Sequence, residues 1–301
     1  MPLRRVLTVL VLAALLLGCG GDSSSARPAA QAGAAKQGGR FDGARAFAFL
    51  ERQVRLGPRP AGSAASHRLA RLIRARLPHG RFEAVPGHPG LRNVVGRLPG
   101  RGPAILLAAH YDTKDTPEGF LGAEDGAGGT AAVLEIARVL RREPRPAKAR
   151  EVRFALFDGE ECPGTDDSDF LACGVRGSRA YADAHARDLG AMVLLDFVAQ
   201  KDLSIPRDAS SDVRLWAKLR AAARAVGSQR AFPDAVQGAV QDDHTPFLQA
   251  GVPAIDLIDF DFACWHQLCD DLSAVSERSL DRSGEAVLEL VRRLRAEATA
   301  K

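Results

Sequence analysis

From Phe41 onward the apolar residues follow two alternating rhythms. "ARAFAFLERQVRLG" and "SAASHRLARLIRARL" carry them at helical spacing, and Ser63 stands where a hydroxyl can cap the second helix. "RFEAV" and "LRNVVGRL" are short and strand-like, and the unbroken run "AILLAAHYD" from Ala104 to Asp112 has strand length. "GTAAVLEIARVL" places Val133, Ile136, Ala137 and Leu140 on one helical face. "EVRFALFDG", "AMVLLDFVA" and "PAIDLID" are further apolar runs, and Val287, Leu290, Val291 and Leu294 mark a last helix at i, i+3, i+4 and i+7. Unbroken apolar strands separated by amphipathic helices predict a three-layer αβα sandwich around a central mixed, mostly parallel sheet. No internal repeat is present.

The chain before Phe41 reads differently. Arg4 and Arg5 precede an apolar stretch from Val6 to Leu17, too short for a comfortable membrane span, and then Gly18-Cys19 and small polar residues. "LLGC" resembles a bacterial lipobox, which predicts a signal peptide over 1–18, cleavage before Cys19 and acylation of its thiol. An ordinary cleaved signal is the alternative, and both export the mature chain. Residues 19–40, rich in Ser, Ala, Gly and Gln, read as a flexible tether, and 41–301 as the catalytic domain. The expectation is an exported lipoprotein on the periplasmic or cell-surface side of a membrane, and a monomer.

Export alters the meaning of the remaining cysteines. Cys162, Cys173, Cys264 and Cys269 form an even set in an oxidising compartment, so disulfides are expected before a thiolate metal site. Four cysteines permit three pairings. The expected one closes a small loop from Cys264 to Cys269 around Trp265 and His266, and another from Cys162 to Cys173. The chain of 301 residues is 46% hydrophobic with 29 glycines, enough to bury a full core. Its formal charge of +4 is small and its arginines are spread along helical segments without interleaved aromatics, so no nucleic-acid partner is expected.

The polar residues that matter end the apolar runs. His110 and Asp112 follow "AILLAA", Glu160 and Glu161 follow "FALFDG", Asp196 follows "AMVLL", and His266 follows "PAIDLIDFDFACW". Asp125 stands in "GAEDGAGG" just before a helix. Sites in open α/β sheets form outside the carboxyl ends of the strands. Acids and imidazoles converging there favour a zinc ion, which takes three such ligands and keeps one position open. The sequence has no "GxSxG", no Walker loop and no dinucleotide fingerprint, which removes serine hydrolases, NTPases and dehydrogenases.

"AHYDTKD", "GAEDGAGGTAAVLEIARVL", "FALFDGEE…GSRAYA", "VLLDFV", "QDDHTPFLQAGVPAIDLI" and "WHQLCDDL" resemble, in order, the motif series of the M28 zinc peptidases, and most closely the glutaminyl-peptide cyclotransferase branch. The resemblance implies a zinc aminopeptidase-like fold with Asp125, Glu161 and His266 as zinc ligands and Glu160 as the acid/base. Strand alternation is expected to aim Glu160 and Glu161 apart. The resemblance makes His110 and Asp196 the extra ligands of a second zinc in the aminopeptidases, with Asp125 bridging. Asp112 is expected to orient the His110 imidazole. Asp242 occupies a position that the resemblance gives to Ser or Thr in ordinary peptidases, and it would join Asp196 and Glu160 in a carboxylate network. Trp265 would wall the substrate pocket. The substrates implied are peptide or protein N-termini.

Two departures stand beside this. "CPGTDDSDFLACGVRGSR" lacks the tryptophan of the related loop, and "PGHPGLRNVVG" replaces an aromatic-rich stretch. Asp166, Asp167 and Asp169 are expected to be a solvated acidic loop, since calcium-loop spacing is missing. Three readings remain open: a cyclotransferase with one zinc, an aminopeptidase with two, and a binding domain that has lost catalysis.

Overall fold

The computed structural model describes residues 39–297. The predicted signal peptide, Cys19 and nearly all of the predicted tether lie outside the described residues, as do 298–301. In chain order the elements are α1 (Gly43–Val54), α2 (Ala64–Arg74), β1 (Arg81–Ala84), β2 (Arg92–Leu98), β3 (Arg101–His110), α3 (Ala127–Arg142) and β4 (Arg150–Phe157). There follow α4 (Phe170–Cys173), α5 (Arg176–His185), β5 (Leu189–Leu195), β6 (Arg207–Asp208), α6 (Val213–Ala225), β7 (Val236–Gln237), α7 (Thr245–Gln249), β8 (Ala254–Leu257) and α8 (Glu277–Ala296).

Six strands form one sheet in the order β1-β2-β4-β3-β5-β8. The β4, β3, β5 and β8 strands run parallel, while β1 and β2 are antiparallel additions at one edge. The mixed sheet therefore has the expected parallel centre, and β3 shows why its apolar run is unbroken. Ile105, Leu107 and Ala109 point into the larger core with α1, α2, α3, α6 and α8. Ala104, Leu106 and Ala108 point into the smaller core, formed with Tyr181 of α5 and Phe247 of α7. Period-two alternation thus loads both faces with hydrocarbon. Ser63 caps α2 by accepting the Ser66 amide at 3.1 Å.

Helix α3 is buried on nearly every side because it lies between the sheet and the outer helices. Its first turn approaches β5 so closely that a Cβ on Gly129 would lie 2.0 Å from the Leu195 carbonyl oxygen. Gly126 has φ +89° and enters the helix in a conformation that L side chains rarely adopt. These two glycines hold Asp125 over the carboxyl ends of the central strands.

Candidate metal centre

Strand order assembles the site. The β4, β3 and β5 strands are adjacent and parallel, so Glu160 and Glu161, His110, and Asp196 leave their strands at the same edge. Asp125 comes from the α3 entry, Asp242 from the loop before α7, and His266 from the turn after β8. His110, Asp112, Asp125, Glu160, Glu161, Asp196 and Asp242 are all buried.

Asp125 is the centre of the arrangement. Its Oδ1 lies 3.1 Å from His110 Nε2, whose other neighbour is Asp196 Oδ1 at 3.2 Å. Its Oδ2 lies 3.7 Å from His266 Nε2, which is 3.3 Å from Glu161 Oε2. Two ligand groups result, His110–Asp125–Asp196 and Asp125–Glu161–His266, each with its donor atoms within 4.8 Å of one another.

The two glutamates do diverge, but through a turn and not through strand alternation. Strand β4 ends at Phe157, and Gly159 at φ +81° turns the chain before Glu160. Glu160 then faces His110 Nδ1 at 3.7 Å, and Glu161 faces His266. Asp112 fixes that turn by accepting the backbone N–H groups of Glu160 and Glu161 at 3.2 and 3.3 Å. Its carboxylate is 3.7 Å from His110 Nδ1, beyond hydrogen-bond length, so its principal work is on the glutamate backbone.

The cysteines pair as Cys162–Cys173 and Cys264–Cys269. The second bond closes the turn in which His266 adopts φ +52°, a left-handed conformation that costs a non-glycine residue energy and that the surrounding structure must enforce. In the first loop Asp166 and Asp169 are exposed, as expected of an acidic loop, but Asp167 is not. It accepts a charge-assisted hydrogen bond from the buried Lys114 and stands 3.7 Å from His266 Nδ1. Sequence reading missed this contact, together with Asp270, which accepts the backbone N–H groups of Glu124 and Asp125 at 2.8 and 3.1 Å. It also missed the fully buried Arg59, which donates to the carbonyls of Leu121 and Gly122 and pins the same loop. The unbroken polarity of "DD" after Cys269 and the lone charge in "PRP" were the only available signals.

The electrostatics call for positive charge. Burial first, then Glu161, Asp242 and Asp243, push the Glu160 carboxyl well above its ordinary range, although His110 opposes them. Burial and Asp242 do the same to Asp196. Burial and Asp125 raise Glu161 to about 7. Burial would lift Asp125 as well, but His110 and His266 outweigh it and hold it below the usual range. Among the described residues no lysine or arginine forms an ion pair with any of these carboxylates, and Glu161 Oε1 and Asp242 Oδ2 have no hydrogen-bond partner. Buried anions without partners are costly, so the site fits a cation bound by imidazole and carboxylate, a donor set that suits zinc.

Above these groups opens a cavity of about 600 Å³. Phe170, Val240, Ile258, Phe260 and Trp265 line its apolar part. Trp265 is 42% exposed at the mouth, so it is not a plain core residue, and its ring packs at a tilt against His266, with centroids 4.6 Å apart, and Phe260, 5.0 Å apart.

A mostly parallel sheet with an acid- and histidine-lined cavity at its carboxyl edge defines an α/β protein with a candidate metal centre. Residues 93–291 match the model of Peptidase family M28, and the chain belongs to that family. It is 29% identical over 236 residues to a Bos taurus protein named glutaminyl-peptide cyclotransferase, an alignment that covers 65% of this chain and 63% of the bovine one. The chain thus spans somewhat less than two thirds of that relative. A glutaminyl cyclase from an Acidobacteriales bacterium superposes with TM-score 0.78 and 28% identity, covering 89% of this chain and 99% of the other. A Zn-dependent exopeptidase from Parabacteroides distasonis shares the fold, with TM-score 0.73 and 24% identity, covering 84% and 98%.

Proposed function

We propose that this protein is a zinc-dependent glutaminyl-peptide cyclotransferase that converts an N-terminal glutamine to pyroglutamate and releases ammonia. The observation that carries the reading is Asp242, buried in the wall of the cavity that Glu160 and Asp196 share, where it raises the proton affinity of both. Asp125, Glu161 and His266 would hold the zinc. When bound, zinc supplies Lewis acidity toward the γ-carbonyl oxygen.

The chain's own residues do the rest. The apolar wall of Trp265, Phe260 and Ile258 receives the glutamine side chain and excludes water from the reacting carbon. Glu160 takes a proton as the α-amine forms its bond to the γ-carbon, then gives a proton to the departing amide nitrogen, which leaves as ammonia when the C–N bond breaks. A carboxylate must hold and release a proton near working pH for this shuttle, and its buried acidic neighbours bring Glu160 toward that condition.

One observation favours a second reading. The two oxygens of Asp125 face His110 and His266 separately, as a bridge between two zincs would, and a two-zinc site fits an aminopeptidase. Leader reading supports export and attachment to a membrane through acylated Cys19. The purified protein incubated with a Gln-Ala peptide is expected to release ammonia without cleaving the peptide bond, and to leave leucine p-nitroanilide intact. Release of alanine, or of p-nitroaniline, with no ammonia would favour the aminopeptidase.

A further inference from the structure

Far from the site, six arginines line a groove of about 400 Å³ between α1, the end of α2 and the second half of α3. Arg138 is held by Glu135 at 2.7 Å and Arg45 by Asp42 at 3.3 Å. Arg76 lies over the Phe49 ring, 4.5 Å from its centre. Arg52, Arg141 and Arg142 are exposed, and among the described residues no acid lies within ion-pair distance of them. Arg145 and Lys148 follow on the exposed segment after α3.

The groove has a fixed place relative to the cavity. Helix α3 begins next to Asp125, so its 16 residues carry Arg141 and Arg142 about 24 Å from the candidate metal centre. Helix α1 runs the other way: Gln53 near its end donates to the Ala127 carbonyl, and the Asp42 amide at its start donates to Glu135. The described chain begins at that same end, where Gly39 lies beside Val139, one turn before Arg142. About 20 residues of sequence separate Gly39 from Cys19.

We propose that this arginine groove rests on the phosphate headgroups of an anionic lipid bilayer, with the cavity facing away from the membrane. Charge complementarity and the point at which the chain toward Cys19 leaves the domain both select this occupant. Guanidinium groups suit phosphate, and each basic side chain near an anionic surface contributes about fivefold to partitioning. The orientation rests on the lipid-anchor reading of Cys19, whereas the binding surface stands without it.

The full chain carrying Cys19→Ser tests the surface by co-sedimentation with vesicles of phosphatidylcholine alone or mixed with phosphatidylglycerol. Binding beyond the neutral-vesicle level, which the common leader sets, is expected with the mixed vesicles, is expected to disappear in high salt, and is expected to fall about 100-fold in an Arg52→Gln, Arg141→Gln, Arg142→Gln variant that keeps its turnover of a soluble peptide. The corresponding triple Lys variant is expected to retain most binding, which separates charge from folding. The leader is common to all variants, so these differences read the groove alone. Equal binding to neutral vesicles, or an unaltered triple Gln variant, would overturn the proposal. So would capture of a DNA duplex or a second copy of the chain by these arginines without vesicle binding. Mass measurement of the mature N-terminus tests the anchor separately, so failure of one leaves the other standing.

Discussion

Glu160 and Glu161 share one backbone turn and have different partners. Replacing Glu160 with Gln removes the proposed proton carrier and none of the proposed ligands, so turnover is expected to fall at least about 100-fold while zinc per chain is unaltered. Glu161→Ala is expected to lose the metal, measured by elemental analysis after dialysis. Exchange of these two outcomes would reverse the assignment. Asp167 lies one step further out, 3.7 Å from the Nδ1 side of His266, so it acts on that imidazole through its charge and not through a direct hydrogen bond. Asp167→Asn is expected to weaken zinc by no more than about 10-fold in a chelator competition, whereas Asp166→Asn leaves it unchanged. His110, Glu160, Glu161 and Asp196 were legible in the sequence because each stands where an apolar run stops at the sheet edge, and Asp125 because it stands in a glycine-rich turn just before a helix. Asp167, Asp270 and Arg59 were not, because their importance comes from partners 53 to 146 positions away.

At the level of elements, the short segment from Cys264 to Asp270 carries more of the site than its length implies. The disulfide holds His266 in its left-handed conformation, and Asp270 immediately beyond it grips the backbone of Asp125 from the other side. Cys264→Ser with Cys269→Ser is therefore expected to lower zinc affinity by about 10- to 100-fold. The melting temperature of the metal-free protein should fall by only a few degrees, since a loop this small restrains the unfolded chain little. A large loss of stability with unaltered zinc affinity would show that the staple serves the core instead. The main elements could be read from pattern because period-two and helical burial are both strong along β3, β4, β5 and α8. The short β6–β7 pair could not, since two-residue strands have no periodicity to detect and are positioned by the loops around them.

For the whole molecule, the buried acids set how stability depends on pH. Burial and Asp112 raise Asp158 to about 7, and burial and Asp125 raise Asp270 to about 7, both far above an unfolded aspartate. Between about pH 4 and 7 the folded metal-free chain therefore holds more protons than the unfolded one, and its stability falls as pH rises through that window. Asp208 has the opposite sign. Burial alone would raise it, but hydrogen bonds from His244, Ser210 and the Val240 amide hold it at about 2. Its contribution is complete above about pH 4 and is lost as pH drops toward 2. The metal-free protein is thus expected to be most stable near pH 4 to 5 and to lose roughly 5–10 °C of melting temperature by pH 8, measured by calorimetry in the presence of a chelator. Zinc competes with protons for its own proposed ligands, among them Glu161, raised to about 7, so the stabilisation it confers should grow over that same rise in pH. A metal-free melting temperature that climbs from pH 5 to 8 would mean that Asp158 and Asp270, and with them the likewise buried Glu160, Glu161 and Asp196, ionise freely in the folded chain, and the positive charge inferred for the site would lose its electrostatic basis.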